Sequence, residues 1–105
     1  MSPADPFACN MHALSPEQRS RHHELAEKLL SALAAVHELR DGYEFEFPFN
    51  GPIYEALTEF TLLEHACCPF FTIAIRLENS KLFWHLTGSD GVKQFIRMEF
   101  AAWFK

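Results

Sequence analysis

The clearest hydrophobic rhythm in the chain begins just after Leu14. Ser15 reads as a helix N-cap, Pro16 sits at the first helical position where its missing N–H costs nothing, and Gln18 completes a capping box. Leu25, Leu29, Leu33 and Val36, flanked by Ala26, Leu30 and Leu39, then recur at helical spacing. Asp41-Gly42 is expected to stop this first helix, because glycine accepts the left-handed conformation of a C-cap. From Tyr43 to Phe49 the period changes to two. Tyr43, Phe45, Phe47 and Phe49 share one face, with Glu44, Glu46 and Pro48 on the other, so a half-buried strand is expected with Pro48 at an edge or end.

Asn50-Gly51-Pro52 opens a second helix, expected from about Ile53 to Cys68, and Pro69 ends it by disfavouring the helical conformation in the residue before it. A hairpin follows, turning at Asn79-Ser80. Its register sets Leu77 opposite Leu82, Ile75 opposite Trp84 and Ile73 opposite Leu86 on one face. Arg76–Phe83, Ala74–His85 and Thr72–Thr87 fall on the other, and a slip of one residue would mix the two. Gly88-Ser89-Asp90-Gly91 introduces a last helix from about Val92 to Phe104.

The expected fold class is therefore α+β, in the order α-β-α-β-β-α. A three-stranded, mainly antiparallel sheet packs on helices as a two-layer sandwich, for which a shortened ferredoxin-like arrangement is one form. Residues 1–13 read as an N-terminal arm and residues 14–105 as one domain.

Composition changes this picture little. At 49% hydrophobic and 22% charged, the chain is ordinary for a globular protein, apart from eleven phenylalanines that predict a ring-rich core. The net charge of -5 and the lack of a basic stripe argue against nucleic acid and anionic membranes as partners. Pro3, Asp5 and Pro6 interrupt the arm, which has no apolar run of a signal peptide or anchor. Three cysteines without a secretion signal imply free thiols in a reducing compartment, hence a cytoplasmic location. No Gly-rich phosphate loop, Gly-x-Ser-x-Gly elbow or His-Glu-x-x-His helix is present, so neither nucleotide nor flavin is expected.

Two carboxylates break the apolar pattern. With residues about 100° apart around the second helix, Ile53, Leu57, Phe60, Leu63 and Cys67 form a stripe, and Glu64 falls within it between Cys67 and Cys68. On the last helix Val92, Phe95, Ile96, Met98, Phe100, Ala102 and Trp103 make a broad apolar arc with Glu99 near its centre. A glutamate is almost never fully buried without a partner. Each could pair with an arginine or a backbone N–H, or sit in a dimer interface; alternatively both line a polar pocket with the thiols.

The vicinal pair Cys67-Cys68 admits three readings. Thiolates bind soft or borderline ions such as zinc, copper(I) or mercury, with a carboxylate or imidazole completing the site. They can do redox or nucleophilic chemistry, or act as small hydrophobes. A helix C-terminus carries negative partial charge, which disfavours a thiolate nucleophile and favours a cation. Cys9 and His12 stand at a Cys-x-x-His spacing on the arm, and Cys9 becomes a third thiolate if the arm folds back. His22, His23 and His37 are expected on the solvated side of the first helix, and His85 on the sheet face away from the thiols. His65 flanks the apolar stripe, where it is either exposed to solvent, the favoured reading, or within reach of a metal.

Several segments together resemble a group of small bacterial proteins of unknown function. They are Phe7-Ala8-Cys9-Asn10, Glu17-Gln18-Arg19-Ser20-Arg21-His22, Asp41-Gly42-Tyr43-Glu44-Phe45, Glu64-His65-Ala66-Cys67-Cys68-Pro69-Phe70 and Leu86-Thr87-Gly88. The Glu-x-x-Cys-Cys-Pro-Phe element is the most specific of them. The resemblance implies no reaction, but it marks the same residues as the site.

The sequence thus predicts a metal-binding protein in which Cys67, Cys68, Cys9 and Glu64 are the ligands, with Glu99 and His65 behind them. The rival reading is a non-catalytic homodimeric module, to which the mixed outer sheet face and the apolar arc of the last helix would contribute. A thiol enzyme using Cys67 or Cys68 with Glu64 as base is a third reading.

Overall fold

The computed structural model describes residues 8–104; positions 1–7, which include Pro3, Asp5, Pro6 and Phe7, and position 105 lie outside the described residues. The elements are α1 (Pro16–Ala32), β1 (Ala35–Leu39), β2 (Gly42–Pro48), α2 (Gly51–Cys67), β3 (Thr72–Glu78), β4 (Lys81–Thr87) and α3 (Val92–Glu99). Short 3-10 turns over Met11–Ala13 and Ala101–Phe104 flank them.

The architecture is α+β, but the sheet has four strands, not the three expected. The fourth comes from the tail of the expected first helix. That helix stops at Ala32, and Ala35–Leu39 turns through Arg40 and Asp41 to pair antiparallel with β2. Pairing outweighs helical spacing here, because β1 sets Val36 beside Phe45 and covers an edge β2 would otherwise expose. Gly42 is consequently not a helix C-cap. It is a strand residue across from Thr87, where a Cβ would run into the Leu86 carbonyl.

The strand order is β1-β2-β4-β3, antiparallel throughout. Strands β2 and β3 are joined through α2, and β4 lies between them, which is a split β-α-β unit. If α1 and β1 were moved to the end of the chain, the connectivity would be that of a ferredoxin-like sheet. The arrangement is thus permuted rather than shortened.

The hairpin register is as predicted, from Thr72–Thr87 to Leu77–Leu82. Asn79 and Ser80 form its turn with φ of 52° and 61°. Positive φ at both central residues is what a type I′ turn needs, and a side chain there is strained. Ser80→Gly is therefore expected to raise stability by about 0.5–1 kcal/mol in urea denaturation. No gain would mean that the turn relaxes in solution.

One face of the sheet carries the core. Phe45, Phe47, Leu82, Trp84 and Leu86 are fully buried on it, beneath Leu25, Leu29, Leu57, Phe60 and Ile96 of the helices. The phenylalanine excess becomes an aromatic cluster, with Trp84 within 6.2 Å of Phe45, Phe60, Phe100 and Trp103. The Trp84 indole N–H donates to Thr61 Oγ1 at 2.9 Å, so even the polar edge of that ring is satisfied. The opposite face is mixed, as expected. His85 meets Glu44 at 2.6 Å, and Arg76 reaches Glu44 at 3.3 Å while lying over Phe83.

The last helix is shorter than its pattern suggests, giving way to a 3-10 turn after Glu99. Its apolar arc is also narrower. Met98 and Ala102 point to solvent, while Val92, Phe95, Ile96, Phe100 and Trp103 are buried.

Candidate metal centre

Three segments meet at the C-terminal end of α2. The first is the last turn of α2, which presents Glu64 and Cys67 inward because they fall on its buried stripe with Leu57, Phe60 and Leu63. The second is residues 9–14. The Asn10 N–H donates to the Cys67 carbonyl at 2.8 Å, satisfying a group that the end of the helix leaves free. Asn10 Oδ1 accepts from the His12 N–H, and the Arg19 guanidinium donates to the Leu14 carbonyl at 2.8 Å. The third is α1, whose capping box at Ser15 and Gln18 sets the helix start and so brings His22 to face α2.

His22 is the residue the sequence reading missed. Expected on the solvated side of the first helix, it instead stacks its ring on Phe60 at 4.8 Å between centroids and sets its Nε2 2.6 Å from Glu64 Oε1. Where an arginine, a backbone N–H or a dimer interface is expected for Glu64, its partner is a histidine of the same chain. His22 is followed three residues later by Leu25 and seven later by Leu29, both buried, so helical spacing placed it beside the apolar stripe. The neighbouring His23 is exposed and lies 3.1 Å from Glu27. His37 is not on α1 at all; it belongs to β1 and lies 3.1 Å from Glu46.

Glu64 is 4% exposed, and its second oxygen, Oε2, has no hydrogen-bond partner. A buried carboxylate oxygen left bare costs free energy unless something cationic or a donor meets it. Glu64 also lines a cavity of about 130 Å³, together with Cys9, Met11, His22, Cys67, Glu99 and the rings of Phe60, Phe100 and Trp103. That is well below the roughly 300 Å³ of small organic ligand pockets, yet several times the roughly 30 Å³ that a water occupies in the liquid.

The cysteines depart from expectation in one respect. Cys9 does fold back to Cys68, but the two form a disulfide with 4.7 Å between their Cα atoms, so the expectation of three free thiols is corrected. The register of residues 9–14 on α2 brings the two sulfurs together. Cys67 is the free cysteine among the described residues and is buried, with its Sγ 3.7 Å from that of Cys68. Burial first, and then the charge of Glu64, pushes the Cys67 thiol up to about 11. In the absence of a cation this is a protonated thiol.

Glu99 lines the cavity but is exposed on its other side, so it is a rim residue and not the buried group its helical position implied. Burial of part of its carboxyl, then the charge of Glu64, raises its pKa, while His22 opposes the shift. His65 does not join the group. It is exposed and borders a separate groove with Leu62, Phe71 and Ile73. His12 is exposed on the 3-10 turn.

Two sets of donor atoms result. His22, Glu64 and Cys67 offer nitrogen, oxygen and sulfur within 4.8 Å of one another, and Cys9, Cys67 and Cys68 offer three sulfurs within the same span. Donors on one tetrahedral ion lie roughly 3.3–3.8 Å apart, a spacing the first set needs shifts of only about 1 Å to reach, whereas Cys9 and Cys68 are bonded to each other and their sulfurs would have to part by roughly 2 Å. The chemistry and spacing of this group could hold a metal ion. Family models, curated proteins and solved structures yield no match for this chain. No helix among the described residues is long and apolar enough to cross a membrane.

Proposed function

We propose that this protein binds a soft or borderline metal ion, of the kind represented by zinc, copper(I) or mercury(II), at the end of α2. The observation that carries the reading is Glu64, whose Oε2 is buried and bare, grouped with an imidazole and a thiol in the wall of a small cavity. A cation there would satisfy that oxygen, take an electron pair from Cys67 and neutralise the carboxylate. Glu64, Cys67 and His22 are the donors open to it while Cys9 and Cys68 are bonded together. Glu99 at the rim adds negative charge that attracts the ion without being buried against it.

The high Cys67 pKa favours this use over nucleophilic catalysis, because a thiol held protonated attacks poorly whereas a bound ion displaces its proton. The competing reading, a structural module with packing cysteines, draws on the disulfide itself, which joins the N-terminal segment to α2.

Metal content by plasma mass spectrometry, on protein purified without chelator or affinity tag, separates the two. About one ion per chain is expected in the wild type, and none in Cys67→Ser, a substitution that leaves the disulfide intact. No ion in the wild type, even after exposure to zinc, copper(I) and mercury(II), would sink the reading.

A further inference from the structure

The disulfide takes two of the three sulfurs out of the site, and other contacts hold the segment that carries Cys9. The bond is not the sole anchor near Cys9. The Asn10–Cys67 backbone hydrogen bond holds the neighbouring residue on α2, Arg19 clamps the Leu14 carbonyl, and the Leu14 side chain is 2% exposed. Breaking the bond therefore releases two thiols in place, beside a third whose sulfur is already 3.7 Å from one of them.

We propose that the redox state of Cys9 and Cys68 selects which class of ion the site takes; the inference rests on the metal-binding reading above. With the bond closed, the donors are His22, Glu64 and Cys67, a mixed set suited to borderline ions such as zinc. With it open, Cys9, Cys67 and Cys68 form a three-sulfur set suited to thiophilic ions such as cadmium(II), mercury(II) or copper(I). The opening is a two-electron reduction by a dithiol. The dithiol becomes a disulfide, and each of the two cysteine sulfurs gains one electron and one proton. Ion binding then displaces the protons from the thiols. Because the arm stays docked, the three-sulfur set is pre-organised and little ordering is left to oppose binding.

The test uses the full chain in two states. One is prepared without reductant; the other is treated with a dithiol, which is then removed under anaerobic conditions. A thiol count in denaturant should give one for the first and three for the second. Cadmium(II) is the probe, titrated against a competing chelator and followed by sulfur-to-metal charge-transfer absorption. The reduced chain is expected to bind one cadmium more tightly than the oxidised chain by over ~100-fold, the most that loss of an outer partner usually costs. Its charge-transfer intensity per ion should also be higher. Cys9→Ser, which cannot form the bond, should show the same affinity with and without dithiol treatment.

Equal cadmium affinity in the two states would overturn the gate and leave the metal site standing. Binding in neither state would overturn both. A reduced chain that loses its far-UV circular dichroism and does not regain it with cadmium would also overturn the gate, since the open site needs the fold.

Discussion

Reducing the Cys9–Cys68 disulfide is expected to lower the unfolding free energy by up to about 4 kcal/mol, a large fraction of what holds a domain of this size together. The bond joins residues 59 apart in sequence, and closing a loop of that length removes much of the freedom of the unfolded chain. The native contacts of the segment change little, because Asn10, Arg19 and Leu14 fasten it independently. The loss therefore falls mainly on the unfolded state. Urea denaturation with and without reductant, beside Cys9→Ser, checks it. The two routes should give the same drop, with a shallower dependence on urea in the oxidised protein, whose unfolded state is less expanded. A difference below about 1 kcal/mol would show that the tether constrains the unfolded chain far less than its length implies.

This sensitivity to reduction bears on how the cysteines were read. Counting three cysteines and finding no secretion signal argues for free thiols, but the count says nothing of distance. Whether Cys9 meets Cys68 depends on how the N-terminal segment crosses the end of α2, a crossing held by the backbone hydrogen bond from Asn10 to Cys67, by Arg19 and by the buried Leu14. Local pattern does not encode such contacts. What pattern did encode was the buried face of α2. Glu64 and Cys67 could be placed inside from helical spacing alone, because Ile53, Leu57, Phe60 and Leu63 fix the stripe on either side of them.

His22 was lost for a related reason. On α1, leucines and alanines are spread over a wide arc, so the side facing α2 could not be told from the flank. The face became definite only with Phe60, on which the imidazole stacks. A buried glutamate on one helix is itself a signal that a neighbouring helix carries its partner, and His22 stands where α1 passes Glu64.

The missing strand has a different cause. Leu33, Val36 and Leu39 continue the spacing of α1 well enough to disguise β1, and the turn that ends it, Arg40-Asp41, carries none of the usual hairpin pairs. The Phe83 and Arg76 register, by contrast, was legible because two alternating strands on either side of a two-residue turn leave one pairing that keeps both faces consistent.

The second large effect separates what the buried pair does for stability from what it does for binding. His22→Leu leaves Glu64 with both oxygens unmatched in an apolar pocket, and breaking a buried pair in this way costs about 3 kcal/mol or more. The ring of His22 keeps some contact with solvent, its side chain being 17% exposed, so the lower end of that range is expected. Glu64→Leu should cost much less, since it removes the bare oxygen along with the charge and leaves a histidine that water can still reach.

The double variant with leucine at both positions decides the matter. Replacing a buried ion pair by apolar groups is often neutral or stabilising, so the double variant should recover to within about 1 kcal/mol of the wild type. The same variant should take up no zinc in its oxidised form, because only Cys67 of the mixed donor set is left. Recovered stability with lost binding would mean that the fold does not need the pair and that the ion does. If instead the double variant stayed as unstable as His22→Leu, the pair would be a structural bond. The bare oxygen of Glu64 would then no longer carry the case for a metal.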